Sequence, residues 1–387
     1  MYEDLKDYYW RWYHDKPVAV TPARRDELRR LHRVLMACID HMALHYEELA
    51  PRFMPLGDKE MEILALQSRL PFRAGTFRPD YIITEEGELK LCEITSRFFA
   101  HGIFMSWFGD KKAEAFCRSY GREHDSRFRE MMSYMLEITG GRKRMFVFKS
   151  SDRTSEIRLY RRFYEAHGIE ITVLEAEEVE AARPLWDSDG CFLVSALNQK
   201  DLLGYSMDTL QAMMRRGMYS DFRNIFLLHD KRFMNLWFRD EFTDACLSRE
   251  DAAFLRAHAI PTWLTPPSDA RENKDAYILK PCRLGKSEGV HAGALTSEED
   301  WKALFDSGAA EGMIAQPFLR QRTFPTVWEG TPFNDYACGM MLCVDGRYFD
   351  SGYFRCSSLP VTNVGDDRKA AVLHTADPLL LEHCDLL

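Results

Sequence analysis

Two acidic side chains flank a β-hairpin pattern early in the chain. Arg78 and Asp80 start a run of β-forming residues, and Glu93 lies near the end of the return run, after an acidic turn at residues 85–88 that contains a glycine. A hairpin places Asp80 and Glu93 side by side on antiparallel strands. Two facing carboxylates repel unless a cation lies between them, and Mg²⁺, which takes carboxylate and phosphate oxygens, would suit such a pair.

Arg78 adds a guanidinium to this hairpin. It lies two residues from Asp80, so both side chains point to the same face of the strand, where Arg78 could neutralise a transferring phosphoryl group. The alternative interpretation is a surface hairpin whose acids are solvated.

A second candidate segment joins a lysine to a glycine-containing loop. Lys280 ends the apolar strand pattern 277–279, and Gly285 and Gly289 follow it, with Ser287 between them. An ammonium next to glycines suits a phosphate group, because the glycines let backbone N–H groups approach it. The segment lacks a complete Walker A motif, so a P-loop is not predicted. An ordinary polar turn remains the alternative.

Two further segments fit a nucleotide. Lys231 opens a predicted helix after an apolar run, which places an ammonium at the end of a buried segment. The strand pattern at 314–319, with Gln316 and Phe318, leaves its sheet through a proline. An adenine ring needs an apolar slot with a backbone donor and acceptor, which such a strand exit can supply, although plain core is the alternative.

The last candidate is Arg355, on a predicted strand that is followed by a loop containing Asn363. An arginine here can grip a substrate carboxylate with two hydrogen bonds. A structural salt bridge is the equally simple alternative.

The elements that would position these residues follow from periodicity. Residues 1–70 and 113–136 have helical spacing of apolar residues. Between 145 and 174 a strand, a helix and a strand form a βαβ unit, which predicts a parallel sheet. Strand candidates at 191–194 and 224–228 extend this sheet into a small doubly wound domain. From residue 277 the chain is rich in strand patterns, including a hairpin at 337–353 turned at Asp345-Gly346.

Composition excludes several classes of protein. The 387 residues are 46% hydrophobic, enough for a sizeable core, and carry 51 basic against 60 acidic residues, a net charge of −9. The acidic balance argues against a nucleic-acid or anionic-membrane binder. No apolar window is long enough for a transmembrane helix, and the first residues are unlike a signal peptide. The ten cysteines are scattered, so we expect free thiols in the reducing cytoplasm.

Taken together, the motifs resemble the ATP-grasp superfamily of carboxylate–amine ligases. Arg78, Asp80, Glu93 and Thr95 resemble its metal-binding hairpin, Arg-x-Asp followed by Glu-x-Asn, with Thr95 in place of the asparagine. Here the hairpin precedes the lysines, an order similar to that of the circularly permuted branch typified by glutathionylspermidine synthetase. The segments around Lys231, around Lys280 with its glycines, and around Gln316 resemble that branch's two ATP lysines, glycine-rich lid and adenine hinge. The resemblance spans roughly residues 75–375.

The resemblance implies a mixed α/β (α+β) fold, a permuted ATP-grasp core with a Rossmann-like domain. We expect a helical region at 1–75, a metal-binding hairpin and helix at 76–139, a Rossmann-like domain at 140–230, a nucleotide-binding region at 231–375 and a tail at 376–387. The implied cofactors are ATP and Mg²⁺. Asp80, Glu93 and Thr95 would bind the metal, and Arg78 and Arg355 would act on the transferring group and substrate. The residues expected to bind nucleotide are Lys231, Lys280, Gly285, Ser287, Gly289, Gln316 and Phe318.

The implied activity is formation of an amide or peptide bond through an acyl phosphate, with ATP converted to ADP and phosphate. The partners would be small-molecule or peptide carboxylates and amines, or a carrier-bound acyl group, with no nucleic acid or membrane. Residues 1–75 would shape the substrate pocket or form a homodimer contact. Because Thr95 departs from the family pattern, a nucleotide-binding module without turnover remains an alternative, and so does a phosphotransferase on the same scaffold.

Overall fold

The computed structural model describes residues 1–97, 99–100, 102–150, 156–285, 287–362 and 367–387, so Asn363 and Lys286 lie outside the described residues. The described chain is a mixed α/β structure with three sheets, which confirms the predicted class. The helices are α1 Lys6–Trp10, α2 Pro22–Leu44, α3 Tyr46–Phe53, α4 Asp58–Gln67, α5 Ser106–Ser119, α6 Phe128–Glu137, α7 Ile157–Ala166, α8 Arg183–Trp186, α9 Gln199–Gly204, α10 Met207–Arg215, α11 Phe233–Leu236, α12 Asp240–Cys246, α13 Arg249–His258, α14 Glu298–Asp306 and α15 Pro378–Leu381.

The strands divide among the three sheets. Their bounds are β1 Val18–Val20, β2 Thr76–Ile83, β3 Leu89–Thr95, β4 Arg144–Lys149, β5 Glu170–Glu175, β6 Cys191–Ala196, β7 Tyr277–Pro281, β8 His291–Ala292, β9 Met313–Pro317, β10 Thr323–Trp328, β11 Thr331–Val344, β12 Arg347–Ser351, β13 Tyr353–Ser357, β14 Arg368–His374 and β15 Asp385–Leu386.

The largest sheet gathers strands from both ends of the chain. Its order is β15-β1-β14-β13-β11-β2-β3, and β10 and β12 also pair with β11. The predicted β2–β3 hairpin is confirmed, with Asp80 opposite Glu93 in the register. The hairpin of β11 and β12 turned at Asp345-Gly346 is confirmed as well. The sheet therefore joins the early hairpin to strands more than two hundred residues later.

The second sheet confirms the predicted βαβ unit. Strands β4 and β5 are parallel, α7 connects them, and β6 pairs in parallel on the other side of β4. The predicted strand at 224–228 is wrong, because Asn224–Leu228 forms one turn of π-helix. All five of its residues are buried, and a short apolar run has the same appearance whether it is a buried strand or a buried helical turn.

The third sheet is small and antiparallel, in the order β8-β7-β9. Its own core contains few buried residues, namely Leu279, Trp301, Ala310 and Ala315. The face of β7 and β9 opposite this core lines a cleft, and β2, β3, β11 and β13 of the largest sheet form the facing wall.

The N-terminal helices pack on the core that the largest sheet shares with the parallel sheet. The longest, α2, begins with Pro22 in its first turn, after Thr21, whose hydroxyl accepts a hydrogen bond from the Arg24 N–H. Its buried residues, among them Leu28, Leu31, Leu35, Ile39 and Met42, recur every three or four positions. This spacing turns one apolar stripe of the helix toward the core.

Two predictions from composition can be checked against the described chain. All ten cysteines are unpaired, as expected, and six of them are buried. None of the helices in the described part of the chain combines the length and apolarity needed to cross a lipid bilayer.

Candidate active site

A cleft between the largest sheet and the small antiparallel sheet collects most of the predicted site residues. It encloses about 760 Å³, part of which is open to solvent. Seven of the twelve predicted residues line it, namely Glu93, Lys231, Lys280, Ser287, Gln316, Phe318 and Arg355. These residues come from segments that are far apart in the sequence.

The remaining predicted residues lie at the margins of the cleft. Asp80 and Arg78 lie behind the wall, next to Arg355, and Thr95 is opposite Arg78 in the hairpin register. Gly285 and Gly289 belong to the loop after β7. Gly289 has a φ of +66°, and a Cβ built there would lie 2.8 Å from the Pro281 side chain, so this position requires glycine.

Asp80 is held by two arginines. Arg78 donates to both its oxygens, at 2.7 Å from Nε to Oδ1 and 2.8 Å from Nη2 to Oδ2, and Arg355 Nη2 donates to Oδ2 at 2.7 Å. Asp80 is fully buried. Burial would lower the pKa of Arg355, but the Asp80 charge raises it well above its usual value. Both guanidinium groups are therefore charged and fixed in orientation.

Asp80 also lies in the middle of β2, not at its start as the sequence suggested. Guanidinium groups hold both of its oxygens, and Asp80 does not line the cleft, so its metal role stays a prediction. Arg78 pairs with Asp80 as Arg355 does, but unlike Arg355 it does not line the cleft, and its phosphoryl role stays a prediction.

Glu93 faces the cleft among cations. A β-bulge at Cys92 breaks the alternation of β3, and both Cys92 and Glu93 line the cleft. Glu93 Oε2 lies 3.7 Å from Lys231 Nζ. Burial would raise the pKa of Glu93, but the surrounding cations, Lys231 foremost, lower it to about 2. Glu93 is therefore ionised at neutral pH.

Two lysines, Lys231 and Lys280, lie close enough to Glu93 for their charges to lower its pKa. Lys231 Nζ also donates to the Leu284 carbonyl of the loop after β7, and Lys280 Nζ lies 3.3 Å from the Cys92 carbonyl. With Arg78 and Arg355, four cations surround two carboxylates, so this part of the cleft carries a net positive charge. Such a surface attracts a polyanion such as a triphosphate.

His229 stands beside this charge cluster and was not predicted as a site residue. Its Nδ1 accepts from the Ser96 N–H at 3.4 Å. Burial, helped by the charge of Lys231, lowers the pKa of His229 to about 3. The imidazole is therefore neutral at physiological pH and adds no charge to the cleft.

Gln316 lines the opposite wall of the cleft and has a buried hydrogen-bond acceptor. It lies across from Ile278 in the β7–β9 register, and both line the cleft. Its Nε2 donates to Thr262 Oγ1 at 2.9 Å, and Thr262 donates to the Ile260 carbonyl at 3.1 Å. This chain of bonds orients the amide, and Gln316 Oε1 has no partner among the described residues although it is buried. A buried acceptor without a partner favours a ligand with a donor.

Sequence reasoning missed several residues of the wall. Ile82 lies on the face of Asp80 two positions along β2, so the hairpin pattern could have indicated it. Cys338, which lines the cleft 3.3 Å from Arg355 Nη2, carried no such signal. Thr262 could not be linked to Gln316, because 54 positions separate them.

The next question is whether the side chains of the cleft could bind a metal ion. Among the described residues, no group of three histidine, cysteine or acidic side chains is arranged to hold a metal. Mg²⁺, however, is commonly bound by one or two carboxylates together with substrate phosphates and water. Glu93, whose ionised carboxylate faces the cleft, fits that mode of binding, and Thr95 is the neighbouring hydroxyl on β3.

Comparisons with known proteins agree with the ATP-grasp part of the resemblance. A curated relative, described as the ATP-grasp enzyme ankG of Aspergillus thermomutatus, is 22% identical over 372 residues, covering 80% of this chain and 77% of that protein. The family model described as the AnkG N-terminal domain matches residues 29–227, which include the hairpin with Asp80 and Glu93 and end before Lys231. Since this match covers more than half of the sequence, the chain belongs to the AnkG N-terminal domain family.

Proposed function

We propose that this protein is an ATP-dependent carboxylate–amine ligase of the circularly permuted ATP-grasp branch. The observation that carries the proposal is the convergence of Glu93 and Arg355 with Lys231 and Lys280 in one cleft. In this proposal, β4–β6 with their helices form the Rossmann-like domain at 140–230. The similarity to a protein described as an ATP-grasp enzyme supports the nucleotide part of the proposal.

In the proposed complex, the adenine ring occupies the apolar part of the cleft near Phe318, between Ile278 and Ile260. Its exocyclic amino group donates to Gln316 Oε1, the buried acceptor without a partner among the described residues. A guanine ring would present an oxygen at that position, and two acceptors would then face each other. Gln316 therefore favours ATP over GTP.

The triphosphate extends toward the cations. Lys231 and Lys280 neutralise its oxygens, and the loop with Gly285, Ser287 and Gly289 covers it. Glu93, with Thr95 nearby, would hold Mg²⁺, which supplies charge neutralisation on the phosphates when it is bound. Asp80, which lies behind the wall beside Arg355, would be the second carboxylate near the metal.

In the proposed reaction, the protein aligns the substrates and neutralises charge but forms no covalent bond to them. A substrate carboxylate oxygen attacks the γ-phosphorus, the bond to the ADP oxygen breaks, and an acyl phosphate forms. The amine nitrogen attacks the acyl carbon, phosphate leaves, and the nitrogen loses a proton. Arg355, fixed by Asp80 and lining the cleft, is the group we assign to the carboxylate or the transferring phosphoryl group. Water must be excluded, because it would hydrolyse the acyl phosphate.

The test combines ADP release with a hydroxylamine trap across a panel of carboxylic acids and amines. We expect ADP release that depends on an acid, together with a hydroxamate, because hydroxylamine captures only an activated carboxylate. Glu93→Gln should abolish both signals, and Lys302→Ala, at a half-exposed lysine outside the cleft, should change neither.

Other outcomes would contradict the proposal. ADP release with a phosphorylated product and no hydroxamate would indicate a phosphotransferase. ATP binding without ADP release from any acid and amine pair would indicate a nucleotide-binding module.

A further inference from the structure

The loop that follows β7 is anchored by a residue of the N-terminal helical region. Arg283 Nε donates to Asp230 Oδ2 at 3.0 Å, and its two terminal nitrogens donate to Glu60, at 2.5 Å to Oε1 and 3.3 Å to Oε2. Asp230 is fully buried, and Glu60 is 4% exposed. The guanidinium thus spans the segment before α11 and the first turn of α4.

The carboxylate of Glu60 is oriented by its own helix as well as by Arg283. It is the third residue of α4, and its Oε2 accepts the Gly57 N–H at 2.6 Å, which caps the helix. The carboxylate is therefore held by its own helix, while Arg283, with 31% of its side chain exposed, belongs to a loop. In this ion pair, we therefore regard Glu60 of the helix as the anchor and Arg283 of the loop as the group that is held.

The residues on either side of Arg283 contact a cation of the cleft. The Lys231 N–H donates to the Cys282 carbonyl at 2.9 Å, and Lys231 Nζ donates to the Leu284 carbonyl. Asp230 and Lys231 are adjacent, so one short segment holds the loop with a carboxylate and presents an ammonium to the cleft. A displacement of Arg283 would move the Leu284 carbonyl and, with it, the ammonium of Lys231.

We propose that Glu60 is a positioning residue for the nucleotide site. By holding Arg283, it fixes the Cys282 and Leu284 carbonyls, which accept hydrogen bonds from Lys231. The inference rests on the proposed function, since it assigns Lys231 to the triphosphate. Glu60, in the N-terminal helical region, does not line the cleft, so it would influence nucleotide binding only through Arg283.

The test uses Glu60→Gln, Arg283→Gln and the double variant in the full chain. The amide oxygen of Glu60→Gln can still accept the Gly57 N–H, so the helix cap is kept while the charge is lost. Each single variant should weaken the binding of a non-hydrolysable ATP analogue about tenfold, the loss expected for one charged hydrogen-bonded pair. The double variant should bind no more weakly than Arg283→Gln alone, because Arg283→Gln already removes the pair with Glu60. Glu62→Gln, on the exposed face of α4, is the matched control and should bind like the wild type.

Hydrogen exchange without nucleotide gives a second readout, independent of ATP. Peptides covering residues 282–290 should exchange faster in Glu60→Gln and not in Glu62→Gln, while α4 and the rest of the chain keep wild-type rates. Unchanged exchange in this loop, or faster exchange throughout the chain, would overturn the inference. If the wild-type protein binds no ATP analogue, the proposed function fails, and the exchange result still decides whether Glu60 anchors the loop.

Discussion

The two walls of the cleft hold their charged groups in different ways. On the largest sheet, Asp80 is fully buried between two guanidinium groups, and two extensive apolar cores support the strands. On the small sheet, four fully buried apolar residues form the core, and Lys280 bonds across the cleft to the Cys92 carbonyl. We infer that the charged groups of the largest sheet are held in place by the folded core, whereas those of the small sheet become fully ordered only when a ligand binds in the cleft.

This difference predicts which substitutions affect stability and which affect binding. Removing a charge from the fixed wall should destabilise the whole protein, because the remaining charges stay buried. Removing a charge from the small sheet should weaken binding and leave folding nearly unchanged.

The largest effect is expected for Asp80→Ala. It removes the carboxylate that Arg78 and Arg355 share, and breaking such a buried pair lowers the free energy of unfolding by about 3–5 kcal/mol. Urea denaturation measures this loss. Asp306→Ala, which breaks an exposed pair with Arg271 beside the small sheet, is the control and should cost less than about 1 kcal/mol. Similar losses in both variants would remove the distinction between the walls.

Lys280→Ala should act on binding. Loss of one charged hydrogen bond to the triphosphate should weaken ATP binding by about 2 kcal/mol, roughly 30-fold, which calorimetry can measure. Lys302→Ala, at an exposed lysine of α14, should bind ATP like the wild type. The free energy of unfolding should be similar in both variants. If Lys280→Ala instead unfolds the protein, the stability of the small sheet depends on its charged groups, as that of the largest sheet does.

A smaller change is expected from Gln316→Met. The substitution keeps the length of the side chain but removes the buried acceptor Oε1, so the preference for ATP over GTP should narrow by about 1 kcal/mol, roughly fivefold. Competition binding with the two nucleotides measures the ratio. An unchanged ratio would show that the base is recognised elsewhere.

A further prediction concerns pH, where no effect is expected near neutrality. Since the folded protein lowers the pKa of Glu93 from 4.5 to about 2, its ionised form contributes stability above pH 4.5, which is lost as the pH falls toward 2. The difference in free energy of unfolding between the wild type and Glu93→Gln should therefore stay constant at neutral pH and change only within that acidic window. A change near neutral pH would place the pKa of Glu93 much higher and contradict its cationic surroundings.

Local pattern was sufficient for the elements that pair over short distances. The β2–β3 hairpin and the β4–α7–β5 unit were predicted because alternation and a short connection determine both. Prediction failed at Asn224–Leu228, where an apolar run forms a π-helical turn. Strand β1 was missed as well, because three residues are too few for a period and its partners β14 and β15 come from the far end of the chain.

For the site, the sequence determined which side chains carry charge and that Asp80 and Glu93 lie on neighbouring strands of one hairpin. Counting from the turn alone would pair Asp80 with Cys92, and the β-bulge at Cys92 places Asp80 opposite Glu93 instead. Arg78 is a local partner of Asp80, but tertiary structure decided the distant partners of these groups. Arg355 reaches Asp80 across 275 positions, and Gln316 is oriented by Thr262, 54 positions away. Such contacts depend on how strands assemble into sheets and how the sheets pack, and no local period in the chain records that assembly.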